Sequence, residues 1–113
     1  MDETMQLSLQ DELIADLTTE LQGQPTFSDS VIKQKVVNAI REVKMARRYP
    51  SYYTDDVIEK DIYNYYTNIR NIALYDFAQI GAHFEESHSE NSVSRSWMER
   101  AKLFNGIIPI VKI

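Results

Sequence analysis

From Ile58 to Phe84 the apolar residues recur in steps of four and three: Ile58, Ile62, Tyr66, Ile69, Ala73, Phe77, Ile80 and Phe84. That period puts them on one face of an α-helix and excludes a half-buried strand, whose side chains would have to alternate. Thr54 or Asp55 can cap the helix, and from Asp55 to Glu85 it would reach about 45 Å at 1.5 Å per residue. A helix of that length outruns the core of one small domain. Either Gly81 and the polar stretch EESHSENS end it early, or its far half packs on another chain.

Two shorter stripes precede it. In SLQDELIADLTTELQGQP, Leu9, Leu13, Leu17 and Leu21 stand four apart, Ile14 widens the stripe, Ser8 is the N-cap, and Gly23 and Pro25 stop the helix. In SDSVIKQKVVNAIREVKMARRYP the spacing of Ile32, Val36, Ala39, Ile40 and Val43 predicts a helix that starts near Ser28 or Ser30 and ends before Pro50. The reading is an all-α fold of three main helices, one of them long, with a short C-terminal extended segment. With 113 residues, three glycines and no repeat or low-complexity tract, nothing divides the chain, so residues 1–113 are read as one helical domain. Residues 1–7 are expected to be flexible. Residues 87–113 are expected to form a loop, a short helix from WMERAKLF, a turn at Asn105-Gly106, and the extended tail IIPIVKI, whose proline keeps it from the middle of a sheet.

The absence of cysteine leaves neither a disulfide framework nor a thiolate zinc site, so stability must come from packing or assembly. The acidic start MDETMQLSLQDEL is unlike a secretory signal, and no stretch approaches the roughly 20 apolar residues of a membrane span. An intracellular, soluble protein is the expectation. A net charge of -5 argues against indiscriminate binding to DNA phosphates. Its placement is uneven: the first 20 residues hold Asp2, Glu3, Asp11, Glu12, Asp16 and Glu20 without a Lys or Arg, whereas Lys33, Lys35, Arg41, Lys44, Arg47 and Arg48 face only Glu42 in the second helix.

Few residues suggest catalysis. His83 and His88 lie near Glu85, Glu86 and Glu90, but their five-residue spacing crosses the expected helix end, whereas metal ligands favour i,i+3 or i,i+4 on a regular element. They read as a surface cluster. No GxSxG, Gly-rich phosphate loop or GxGxxG is present. Asp76 falls beside the long stripe and is read as an edge position or as paired with an arginine such as Arg70 or Arg41, since an unpaired buried charge is costly. The stretch ARRYPSYY, followed by Tyr63, Tyr65 and Tyr66, combines basic and aromatic residues. That pattern suits single-stranded nucleic acid, with Arg47 and Arg48 on phosphates and tyrosines under bases, but in an acidic chain without a nucleic-acid-binding motif interface or core packing is the favoured reading. The turn RRYPSYYTD is too long for a helix-turn-helix.

The closing run Ile107–Ile113 is five aliphatics broken only by Pro109 and Lys112. It must dock somewhere, on its own helices or across a neighbour. Opposite charge on the first and second helices favours the neighbour, because a head-to-tail ring sets different faces of successive copies together.

Short helices, a long Tyr-rich helix and then ENSVSRSWMERAKLFNGIIPIVKI resemble the small head-tail connector (head completion) proteins of tailed bacteriophages and prophages of Gram-positive bacteria. The resemblance runs from about Leu13 onward and is strongest at Asn91, Ser94, Arg95, Trp97, Arg100, Leu103, Phe104, Gly106, Pro109 and the final aliphatics. It implies a non-enzymatic protein without cofactor, made in the host bacterial cytoplasm and carried in the virion. There it would form a ring, usually twelvefold, beneath the portal protein, extend the DNA channel without sequence-specific binding, and receive the next connector or stopper. It further implies that Trp97, Leu103, Phe104, Ile107, Ile108, Ile110, Val111 and Ile113 contact a neighbour or the portal, and that Arg41, Lys44, Arg47 and Arg48 meet the acidic face of the adjacent copy. A small nucleic-acid-binding or regulatory protein using Arg47, Arg48 and the tyrosines is the alternative. An enzyme resting on His83 and His88 comes third.

Overall fold

The computed structural model describes residues 8–85 and 100–110, with the side chains of residues 81–85 outside that description. The fold is all-α, and no strand occurs among the described residues. Helix α1, Leu9–Leu21, starts where Ser8 accepts a hydrogen bond from the Asp11 N–H at 3.1 Å, and buries Leu9, Leu13, Leu17 and Leu21. Helix α2, Asp29–Arg47, is capped by Ser28 and ends on Arg48, whose φ of 56° is left-handed. It buries Ile32, Val36, Ala39 and Val43, while Ile40 packs half-buried against the same core. Both stripes follow the sequence spacing, and both caps are Ser hydroxyls that satisfy otherwise orphaned N–H groups.

The long third helix is two helices: α3, Asp55–Tyr63, capped by Thr54, and α4, Tyr66–Glu85. The ladder tightens between them, with the Asn64 N–H on the Asp61 carbonyl at 3.1 Å and the Tyr65 N–H on the Ile62 carbonyl at 2.9 Å. Asn64 and three neighbouring tyrosines are poorer helix formers than the flanking residues. Tertiary contacts decide the break: α4 packs chiefly on α2 and also on α1, whereas α3 swings aside and buries only Ile62. Without Gly or Pro at the joint, periodicity alone carries no sign of it. At its far end α4 runs through Gly81 to Glu85, so that glycine does not terminate it.

The core joins the three leucine-and-isoleucine stripes of α1, α2 and α4 with Ile62, Ile69, Ile72, Ala73 and Phe77. Ile72 lies outside the stripe read from the sequence and is nevertheless fully buried.

Residues 100–102 form a helical turn that tightens further, with Leu103, Phe104 and Asn105 bonding back to Arg100, Ala101 and Lys102 at 3.0 to 3.1 Å. Gly106, at φ 89°, completes the turn expected at Asn105-Gly106, and the Ile107 N–H closes it on the Phe104 carbonyl at 3.0 Å. Only glycine takes that backbone without a steric penalty. Residues 107–110 then run over the helices as irregular chain, not as a paired strand. The polar loop, His88, Trp97, Val111 and Ile113 lie outside the described residues, as does the side chain of His83.

Candidate functional site

Residues 103–110, the C-terminal arm, lie against the bundle, with Leu103, Phe104 and Ile107 half-buried on the core. Three polar clasps from α2 and α4 hold this arm and the turn before it. At its base Arg100 forms two bidentate pairs, with Asp76 of α4 (2.8 Å to each carboxylate oxygen) and with Glu42 of α2 (2.9 and 2.7 Å), and its guanidinium stands 5.8 Å from the centre of the Phe104 ring. Planar forks of this kind combine strength with a fixed geometry. The carboxylates of Asp76 and then Glu42 hold the Arg100 pKa well above its usual value. Midway, the Asn68 side-chain amide donates to the Leu103 carbonyl at 2.9 Å and to the Asn105 carbonyl at 3.2 Å. At the end, Arg47 donates to the Ile108 carbonyl, and its own carbonyl accepts from the Ile110 N–H at 2.6 Å.

Arg47 is therefore not free for an acidic neighbour, as the charge pattern had suggested. Its guanidinium makes two 2.8 Å bonds to Asp61 of α3 and lies 5.2 Å from the Tyr65 ring centre. Asp61 also accepts from the Tyr49 hydroxyl at 2.7 Å. Burial raises the Asp61 pKa, but the hydrogen bonds from Arg47 and Tyr49, with the Arg47 charge, outweigh it and leave the carboxyl below its ordinary value. Burial first, and then the bond to Asp61, push the Tyr49 hydroxyl far up.

Arg70 joins α4 to the acidic helix. It donates to Asp16 at 3.0 Å and is paired with Glu20, while the Tyr66 hydroxyl donates to Asp16 at 2.9 Å and the Tyr63 hydroxyl to Glu12 at 2.7 Å. Much of the acidic surface of α1 is thus engaged inside its own chain. The Arg70 bond is the main cause of a lowered Asp16 pKa, and burial followed by the bond to Asp16 pushes the Tyr66 hydroxyl up to about 12.

The pairing expected for Asp76 is corrected accordingly: its partner is Arg100, not Arg70 or Arg41, and among the described residues Arg41 reaches only Asn38, at 3.4 Å. Sequence reasoning placed Arg100 within the family resemblance but missed its partners, and it missed Asn68 and Glu42. Helical spacing puts Glu42 and Asp76 near the apolar faces but cannot say which arginine crosses between elements.

The remaining residues proposed for an interface divide in two. Leu103, Phe104, Ile107 and Ile110 are half-buried in their own chain, whereas Ile108 is 60% exposed. Arg41, Lys44 and Arg48 are exposed on α2 and at its end. Nearby in sequence, Met45 and Tyr52 are 70% and 81% exposed, and Tyr52 stacks edge-on to Tyr53 at 5.5 Å. A cleft of about 320 Å³ lies between Ser8, Leu9, Gln10 and Asp11 of the α1 start, Ile40 and Lys44 of α2, and Glu59 of α3. Glu59 accepts the Leu9 N–H there at 3.1 Å. Among the described residues no group of three or more His, Cys, Asp or Glu is arranged to hold a metal ion, and no described helix is long and apolar enough to cross a membrane.

The lowered pKa values of Asp16 and Asp61 set a pH dependence. A carboxyl whose folded pKa lies below its unfolded value, about 3.9, contributes stability above that value and loses it as pH falls through the depressed one. The urea midpoint is therefore expected to fall below about pH 4. In Asp16→Asn and Asp61→Asn the midpoint at neutral pH is lower and the acid fall is shallower; an acid limb as steep as in the parent protein refutes the assignment.

Comparison with family models, with curated proteins and with solved structures finds no match.

Proposed function

We propose that this protein is a structural adaptor of a phage head-tail joint, which forms a ring that docks on the portal and extends the DNA channel. The single observation that carries the reading is the arm. It is fastened across α2 and α4 by three polar clasps, yet presents Ile108 to solvent within an aliphatic run that continues in sequence through Val111 and Ile113. A positioned backbone that turns an apolar side chain outward suits an assembly contact, where a few desolvated residues supply most of the binding energy. The family resemblance in residues 91–113 supplies the identity of the partner, and the exposed Arg41, Lys44 and Arg48 supply a charged rim that steers it.

The nucleic-acid reading is less favoured, because Arg47 and the Tyr49 hydroxyl are committed to Asp61. Phosphate binding by Arg47 would cost that pair.

Truncation after Asn105 is the direct test. The helices end before it, so helical content is expected to stay nearly unchanged, while the mass of the complex with a portal protein, measured in solution, drops to that of the portal alone. Full portal binding by the truncated chain, or none by the intact chain, defeats the proposal.

A further inference from the structure

We propose that Asn105-Gly106 is a self-modification site, where the turn before the arm converts in water to aspartate and isoaspartate and the isoaspartate product releases residues 107–110 from the helices. The reaction is intramolecular. The backbone nitrogen of Gly106 bonds to the side-chain amide carbon of Asn105; the bond from that carbon to its NH2 group breaks, and ammonia leaves with the proton of the Gly106 amide. The resulting succinimide adds one water and opens at either carbonyl. Opening at one gives aspartate; opening at the other routes the main chain through the side-chain carbon and gives isoaspartate. Water is the only co-reactant, and nothing is oxidised or reduced.

Three observations select this asparagine. Asn105 and Gly106 are both exposed, and glycine carries no side chain beside the attacking nitrogen. Among the described residues no hydrogen bond occupies the Gly106 N–H or the Asn105 side-chain amide. Positive φ at Gly106 with the Ile107-to-Phe104 bond gives a type II turn closed by that one hydrogen bond, so when it opens Asn105 can rotate out of the turn's ψ of about 120° and bring its side-chain amide to the Gly106 nitrogen. Elsewhere no glycine follows the asparagine: Asn38, Asn68 and Asn71 sit inside helices, and in sequence Asn64 and Asn91 precede Tyr65 and Ser92, residue types whose side chains slow the attack relative to glycine.

The consequence follows from the clasps. Isoaspartate adds one methylene to the backbone between the Leu103 carbonyl held by Asn68 and the Ile110 N–H held by Arg47, and turns the Asn105 carbonyl that Asn68 also holds into a pendant carboxylate. Both anchors are fixed on helices, so the lengthened turn cannot serve both, and the arm lets go at its later anchor.

The inference stands apart from the proposed function and is tested on the full chain alone. Incubation at mildly alkaline pH, followed by peptide mapping, is expected to place a mass gain of about 1 Da and the isoaspartate first at residue 105, and to slow at acidic pH because the attacking nitrogen must lose its proton. Hydrogen-exchange protection at the Ile107 and Ile110 amides is expected to fall with isoaspartate formation, and Asn105→Ser to retain it over the same time. Conversion at Asn91 ahead of Asn105 overturns the site. Retained arm protection in protein carrying isoaspartate at 105 overturns the release.

Discussion

Replacing Arg100 with alanine lowers the unfolding free energy by about 2–3 kcal/mol, a loss set by two carboxylates left without their partner. Arg100 and Asp76 each keep only 17% of their side chains in solvent, so Asp76 has little water to replace the guanidinium. Glu42 keeps 41% and contributes less, because an exposed ion pair is screened. Removing one partner of a sheltered pair costs more than the pair itself contributes, since the remaining charge stays desolvated. For a domain of this size the loss corresponds to a fall in melting temperature of roughly 10 °C or more. Arg100→Lys retains the charge and loses the two forks, so it recovers part of the loss. A double variant, Glu42→Gln with Asp76→Asn, removes the same clasp from its other side. Urea titrations of the set measure the effect, and a change below about 0.5 kcal/mol for Arg100→Ala would mean that the arm is held by its apolar contacts instead.

Most of the helical frame was legible because it follows from local rules. Leu9, Leu13, Leu17 and Leu21 are all buried at their spacing of four, and the Ser8, Ser28 and Thr54 caps stand where a short hydroxyl side chain precedes an apolar stripe. The Asn105-Gly106 turn was legible for the same reason, since it depends on the backbone freedom of one residue. Two features were not. The joint at Asn64 and Tyr65 sits within an unbroken apolar stripe, and the cause is tertiary: α4 must lie on α2 and α1 while Asp61 is held by Arg47. The clasps join positions far apart in sequence, as in Arg100 with Glu42 and Asn68 with Asn105, where neither period nor spacing carries a signal. The charge pattern did not reveal which charges pair within the chain. Opposite charge on α1 and α2 suggested a contact between copies, yet Asp16 and Glu20 meet Arg70 and Arg47 meets Asp61 within one chain. What remains outward on that stretch is Lys33, Arg41, Lys44 and Arg48, with Lys35 half-buried, so the basic surface loses Arg47 to the chain's own fold.

Ile62→Ala is expected to cost about 3 kcal/mol and to loosen α3 before the rest of the molecule. Ile62 is fully buried and is the only buried residue of α3. Beside the half-buried Ile58 and the Tyr63 ring 5.8 Å from that of Tyr66, the other ties of that helix are polar: Glu59 to the Leu9 N–H, Asp61 to Arg47, and Tyr63 to Glu12. Polar ties at a half-wet surface contribute little each, so α3 stays in place chiefly through one apolar anchor. Deleting three methyl or methylene groups there loses their transfer free energy and leaves a cavity that the core residues around it can only partly close. Ile62→Val, which removes one such group, is expected to cost about 1 kcal/mol, and Val57→Ala, at a site 45% exposed on the same helix, less than about 0.5 kcal/mol. Hydrogen exchange separates local from global loss. Amides of α3 should exchange faster in Ile62→Ala by more than the global destabilisation accounts for, while the α2 and α4 amides follow the global change alone. Because Asp61 lies on the same helix, loosening α3 also frees Arg47 from its carboxylate and with it the support under the Ile108 carbonyl. A uniform loss of protection across all four helices would instead make α3 an integral part of one cooperative core, and the arm's anchor at Arg47 would then be as stable as the bundle itself.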